Sequence, residues 1–159
     1  MSLTAADIMT KTVLTAKPDD TVAAVAKLLS EHDISAVPVC DANGAVIGMV
    51  SESDLLTPVG TESTARRSRW LTLLAEGTDF AADFVEYIGM GNRRIGDLMV
   101  KPVITAAPDT GVPQLADLLV RHHVKRLPIV QDGRLVGLVS RADLIRAFAR
   151  DPDAVVEPP

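Results

Sequence analysis

One stretch of this chain occurs twice, and that repetition limits the possible folds more than any other feature. His122-His123-Val124-Lys125-Arg126-Leu127-Pro128-Ile129 runs through Asp132-Gly133 into a second apolar run and then Ser140-Arg141-Ala142-Asp143. Earlier, His32-Asp33-Ile34-Ser35-Ala36-Val37-Pro38-Val39 runs through Asn43-Gly44 to Ser51-Glu52-Ser53-Asp54. Pro38 and Pro128 lie 90 positions apart, but Gly48 and Gly137 only 89, so the second copy has lost one turn residue. The offset of 90 also holds upstream, for Asp7 and Asp97, Met9 and Met99, Thr15 and Thr105, and Leu29 and Leu119. One supersecondary unit is therefore used twice.

Each copy carries the same local signals. A short helical lead-in at 5–9 precedes a brief extended segment, Val13-Leu14-Thr15. Pro18-Asp19-Asp20-Thr21 then opens a helix, because Asp or Thr side chains accept orphan amide hydrogens. Val22, Val25, Leu28 and Leu29 share one face, which predicts an amphipathic helix over 21–31; Val112, Leu115, Leu118 and Leu119 repeat the stripe. Two apolar runs joined through Asn-Gly or Asp-Gly predict a hairpin, since these residues tolerate positive φ. Ser51 and Ser140 end the second strand and can cap the helix that follows. Each copy thus reads β-α-β-β-α, and the class is α+β with an α/β-like alternation. A unit of about 50 residues buries little surface alone. Two copies packing their sheets together would complete one core, as a pseudo-two-fold pair. The expected boundaries are 1–56 and 96–150 for the repeats, 57–95 for an insert and 151–159 for a polar, proline-rich tail.

Composition narrows the function. Of 159 residues, 47% are hydrophobic and 23% charged, which is globular, while only 3% are aromatic, so Val, Leu, Ile and Ala must build the core. A net charge of −5 argues against a general nucleic-acid binder, whose affinity comes from phosphate neutralisation. Cys40 is the single cysteine and aligns with Val130, as a small hydrophobe at a strand end. The chain shows no signal peptide and no apolar run of about 20 residues, so a cytoplasmic protein without a membrane segment is expected. No nucleophile with its base, no metal set and no phosphate-cradling loop can be assembled, and Gly89-x-Gly91 lacks the Lys-Ser/Thr of a P-loop. A metal site is not expected: His32 and His122 occupy equivalent helix ends, where they suit the helix dipole. Catalysis is not expected either.

The insert holds nearly all the aromatic residues. Arg66, Arg67, Arg69, Trp70, Leu71, Leu73 and Leu74 suggest one helix, and Phe80, Phe84, Tyr87 and Ile88 another. It reads as a helical cap on the paired units, or as a surface for self-association or a partner.

These motifs together resemble the CBS domain, named after cystathionine β-synthase, in the tandem form called a Bateman module. The resemblance rests on Asp7-Ile8-Met9-Thr10 and Asp97-Leu98-Met99-Val100, on Val-x-Thr at Val13/Thr15 and Val103/Thr105, and on Val37-Pro38-Val39 and Leu127-Pro128-Ile129. Gly48-x-Val50-Ser51-x-x-Asp54 and Gly137-x-Val139-Ser140-x-x-Asp143 complete it. The insert with Arg-Arg-x-Arg-Trp also resembles bacterial CBS pairs that carry a C-terminal BON domain, which this chain lacks.

The resemblance implies a regulatory module that binds AMP, ADP or ATP, or else S-adenosylmethionine or NAD, in clefts between the repeats. It requires no cofactor, forms a homodimer and signals to an effector protein or domain. It implies a first cleft combining Thr15, Ala36, Val37 and Pro38 with Lys125, Arg126, Ser140 and Asp143. A second combines Thr105, Arg126, Leu127 and Pro128 with Ser35, Ala36, Ser51 and Asp54. Asp143 and Asp54 would hold ribose hydroxyls; Lys125 and Arg126 would meet phosphate, where a guanidinium binds two oxygens at once. Ser35 and Ala36 carry no charge, so the second site is expected to be poorer or to take nucleosides only. Two plainer readings stand beside this one: both aspartates as first-turn carboxylates favoured by the helix dipole, and the whole chain as a ligand-free scaffold that dimerises.

Overall fold

The computed structural model describes residues 2–56 and 93–154, so the aromatic insert, with its two expected helices, and the end of the tail lie outside the described residues. The described chain forms helices α1 (Ala5–Ile8), α2 (Val22–Glu31), α3 (Glu52–Leu56), α4 (Val112–Arg121) and α5 (Arg141–Arg150), with strands β1 (Ala36–Cys40), β2 (Val46–Ser51), β3 (Arg126–Gln131) and β4 (Arg134–Ser140). The strands make two two-stranded sheets, β1 with β2 and β3 with β4. The extended segments at Thr15 and Thr105 shrink to single parallel bridges, Ala16 with Val39 and Ala106 with Ile129.

Local chemistry accounts for these elements. Thr21 caps α2 by accepting from the Ala24 N–H at 3.1 Å, while α4 starts at Gly111 with a proline in its first turn. Both helices close with the Ile34 and Val124 amides donating 3.1 Å bonds back to Leu29 and Leu119. This places Asp33 and His123 at φ of 50° and 53°, the left-handed C-terminal position usually given to glycine. The β3–β4 hairpin turns at Asp132 and Gly133, both at positive φ, as a two-residue Asp-Gly turn requires. In the longer Asn43-Gly44 turn only Gly44 adopts positive φ. A bulge between Ile129 and Val130 leaves Val136 unpaired in the ladder.

The chain divides into two compact units that cut across the repeats. One, the Asp143 unit, gathers residues 2–14, 42–46 and 102–154; the other, the Asp54 unit, gathers 15–41, 47–56 and 93–101. In the Asp143 unit, Ala5 joins Leu115, Leu119, Leu127, Ile129 and Val139 in the core, with Ile8 and Met9 packed on it. In the Asp54 unit, Ile95 joins Val22, Val25, Leu29, Val37, Val39, Val50 and Leu55, with Leu98 and Met99 beside them. The lead-ins are therefore exchanged: each completes the core of the other repeat. Each unit carries its own buried cluster.

The exchange is held by main-chain bonds. Ala5 and Ala6 donate to the carbonyls of Thr110 and Pro108 at 2.8 and 2.9 Å, and the Leu3 carbonyl accepts from the first-turn amide of α4 at Val112 (3.1 Å). The Arg93 carbonyl accepts from Val22 in the same way at 2.9 Å. Further along, Thr10 pairs with Leu138 and Val100 with Met49. Between these contacts a methionine lies flat on a strand glycine. A Cβ at Gly137 would stand 2.2 Å from the sulfur of Met9, and one at Gly48 2.4 Å from that of Met99. Only glycine leaves room for the lead-in there.

Candidate functional site

Within the Asp143 unit the hairpin brings a strand entrance and a helix entrance together. Arg126 opens β3 and stands opposite Ser140, the last residue of β4. One residue either side, the Arg141 amide donates to the Lys125 carbonyl at 3.2 Å. Ser140 caps α5: its Oγ accepts from the Asp143 N–H at 3.2 Å, and the Asp143 Oδ2 accepts from the Ser140 N–H at 2.8 Å. This reciprocal capping box fixes the carboxylate. The other oxygen, Oδ1, is ion-paired with Arg146 one turn along the helix. The Asp143 side chain is 9% exposed while that of Arg146 is 62% exposed, so a nearly buried carboxylate is served by a cation reaching in from solvent.

The same unit carries Thr105 on the surface, next to the bridge in which Ala106 donates to the Pro128 carbonyl (3.1 Å) and accepts from Val130 (2.8 Å). Leu127 and Pro128 are fully buried, so their side chains belong to the core.

The Asp54 unit repeats the arrangement with different chemistry. The Glu52 amide donates to the Ser35 carbonyl at 2.9 Å, as Arg141 does to Lys125. Asp54 Oδ2 accepts from the Ser51 N–H at 2.8 Å and from the Ser51 hydroxyl at 3.0 Å. Thr15 is exposed beside Ala16, whose amide donates to the Pro38 carbonyl at 2.9 Å. Ala36, Val37 and Pro38 are buried. Cys40, also buried, has its thiol pushed up by that burial and then by the neighbouring Asp41.

The structure thus collects Lys125, Arg126, Ser140 and Asp143, with Thr105, Leu127 and Pro128, in one unit. It collects Ser35, Ser51 and Asp54, with Thr15, Ala36, Val37 and Pro38, in the other. Two cations escaped the reading of the sequence: Arg141, beside Lys125, and Arg146, on Asp143. The Asp-x-x-Arg spacing in the first turn of a helix was the available signal, since residues three apart share a face. Among the described residues no three His, Cys, Asp or Glu side chains are grouped as a metal site would need. No described helix is long and apolar enough to cross a membrane.

Comparison with known proteins agrees with this architecture. An uncharacterized protein of Methanocaldococcus jannaschii is 31% identical over 150 residues, covering 89% of both chains. The CBS domain of a CBS domain-containing membrane protein from Sphaerobacter thermophilus superposes with a TM-score of 0.68 at 36% identity, over 91% of this chain and 87% of that one. CBSX2, an Arabidopsis thaliana CBS-pair protein solved in complex with AMP, gives 0.68 at 27% identity, over 92% of this chain and 96% of that one. The CBS domain signature matches residues 5–59 and 95–150. With both repeats matched and the repeat geometry in place, this chain belongs to the CBS domain family as a tandem pair.

Proposed function

We propose that this protein is a regulatory module that binds an adenosine nucleotide, AMP, ADP or ATP, and performs no catalysis itself. The observation that carries the reading is the meeting of Lys125-Arg126 with Ser140 and Asp143 at one end of the β3–β4 hairpin, which brings two cationic residues to the same hairpin end as a fixed carboxylate. The AMP complex of the 27% identical CBSX2 supports it. In this reading Asp143 accepts the ribose hydroxyls, each of its oxygens keeping a lone pair after the bonds from Ser140 and Arg146. Lys125 and Arg126 take the phosphate, and Thr15 with the main chain of Ala36, Val37 and Pro38 takes the adenine. Asp54, with Ser35, Ser51, Thr105, Leu127 and Pro128, serves a second, weaker site. The protein acts as a homodimer in the cytoplasm and passes occupancy to an effector protein. A ligand does this only by binding one arrangement better than another.

The second reading, a ligand-free scaffold, is favoured by the serine-to-aspartate bonds at the two helix starts, which already give Asp54 and Asp143 a structural task, and by the exposed Ile145 and Phe148 on α5 as an assembly surface. A thermal-shift panel separates the two. A ligand that binds only the folded state adds about 2.7 kcal/mol at a hundredfold excess over Kd. An upward shift with adenosine nucleotides and none with GTP, reduced in Arg126→Ala and Asp143→Asn, is the expected result. No shift with AMP, ADP, ATP, S-adenosylmethionine or NADH moves the assignment to the scaffold.

A further inference from the structure

The cations at the Asp143 end outnumber what one phosphate needs. Lys125 and Arg126 enter β3, Arg141 follows β4 with its amide on the Lys125 carbonyl, and Arg146 sits on Asp143. Lys125, Arg141 and Arg146 are exposed and Arg126 is half-buried. Four cations against the single Asp143 carboxylate leave this end with a net charge of +3. At the equivalent sequence positions of the other repeat stand Ser35, Ala36, Glu52 and Thr57, with Asp54, for a net −2. Arg141 and Arg146 have no part in either hydrophobic core, and the cap on α5 is made by Ser140 and Asp143 without them.

We infer that the Asp143 end selects adenosine nucleotides by phosphate number, favouring di- and triphosphates over AMP, with Arg141 and Arg146 as the specificity-determining residues. This rests on the nucleotide-binding reading above and sharpens it. AMP satisfies Lys125 and Arg126, and each further phosphate brings another negative charge within reach of a long, solvated guanidinium that can bind two oxygens. The rim cations are exposed, so their effect is graded and salt-dependent.

Isothermal titration of the full chain with adenosine, AMP, ADP and ATP, in metal-free buffer at fixed ionic strength, tests it. Affinity is expected to rise at each step, ATP binding at least about tenfold tighter than AMP, with that advantage shrinking as salt is raised. Arg141→Gln and Arg146→Gln are each expected to lower the ATP-to-AMP affinity ratio about two- to fivefold. The ratio cancels any loss common to both ligands, such as a loosened Asp143 in Arg146→Gln. Equal affinity for AMP and ATP, or a ratio unmoved by both substitutions, overturns the selection by phosphate number while leaving the nucleotide site standing. Absence of binding by all four compounds overturns both.

Discussion

The Asp143 end and the Asp54 end are built from one backbone plan and differ almost entirely in charge. Both set a serine at the close of a strand and an aspartate three residues on, and both have an amide-to-carbonyl bond joining the helix start to the strand entrance. At one end the surrounding residues are Lys125, Arg126, Arg141 and Arg146; at the other, Ser35, Ala36 and Glu52. Even the serine differs, since the Ser140 Oγ accepts from the helix amide while the Ser51 hydroxyl donates to the carboxylate. The comparison teaches that the capping geometry is what the fold demands, and the cations are what a ligand would demand. Keeping the first while varying the second gives two equivalent scaffolds with unequally charged ends.

That contrast can be broken most forcefully through the exchanged lead-ins. Ile95 is fully buried in the Asp54 unit, and Ile95→Ala is expected to cost about 2–5 kcal/mol in urea denaturation. If each lead-in serves the other repeat, the damage falls on the first repeat: amide exchange should accelerate in α2 and β1 before α4 and β3. Next in size, Gly137→Ala forces the Met9 side chain to move and is expected to cost about 1–3 kcal/mol. Met9→Ala made with it should recover part of that loss, and a strictly additive pair would count against the Met-on-Gly seat.

Smaller effects sharpen the comparison of the two aspartates. Asp143→Ala removes a capping box and Asp54→Ala removes the carboxylate that accepts from Ser51, and each is expected to cost about 1 kcal/mol of thermal stability. If Asp143 also holds ribose, Asp143→Asn lowers nucleotide affinity far more than Asp54→Asn does. His123→Gly relieves a left-handed residue and is expected to raise stability by up to about 1 kcal/mol. The lead-in adds a pH test. Asp7 accepts from the Thr4 N–H at 2.8 Å and from the Thr4 hydroxyl at 3.0 Å, and these bonds, the backbone one foremost, hold its carboxyl below the usual carboxylate range. A lowered native value means this contribution is complete above about pH 4 and is lost as pH falls through the native value. Acid melts of Asp7→Asn should therefore show a shallower pH dependence than the wild type. Asp7 is exposed, so this is the smallest of the effects.

The features legible in the sequence are those whose cause is local. The stripe Val22, Val25, Leu29 announces its helix because a 3.6-residue period is written in adjacent positions. Asp132-Gly133 announces its turn because the backbone conformation belongs to those two residues. Ser140 and Asp143 announce a cap for the same reason. The site residues were legible only as equivalents in a repeated motif, and Arg141 and Arg146 passed unremarked because a cation on an exposed helix start is ordinary until its partner is located.

By itself, then, the sequence determined the repeat, the order of its elements, their caps and turns and the inequality of the two aspartate ends. Only the tertiary structure decided which lead-in docks on which repeat. Met9 and Met99 carry the same motif and Gly137 and Gly48 offer the same seat, so either pairing satisfies every local rule. The choice is made by chain connectivity and by the burial of Ala5 and Ile95 in cores assembled from residues about 40–134 positions away, and no local window of sequence contains both partners.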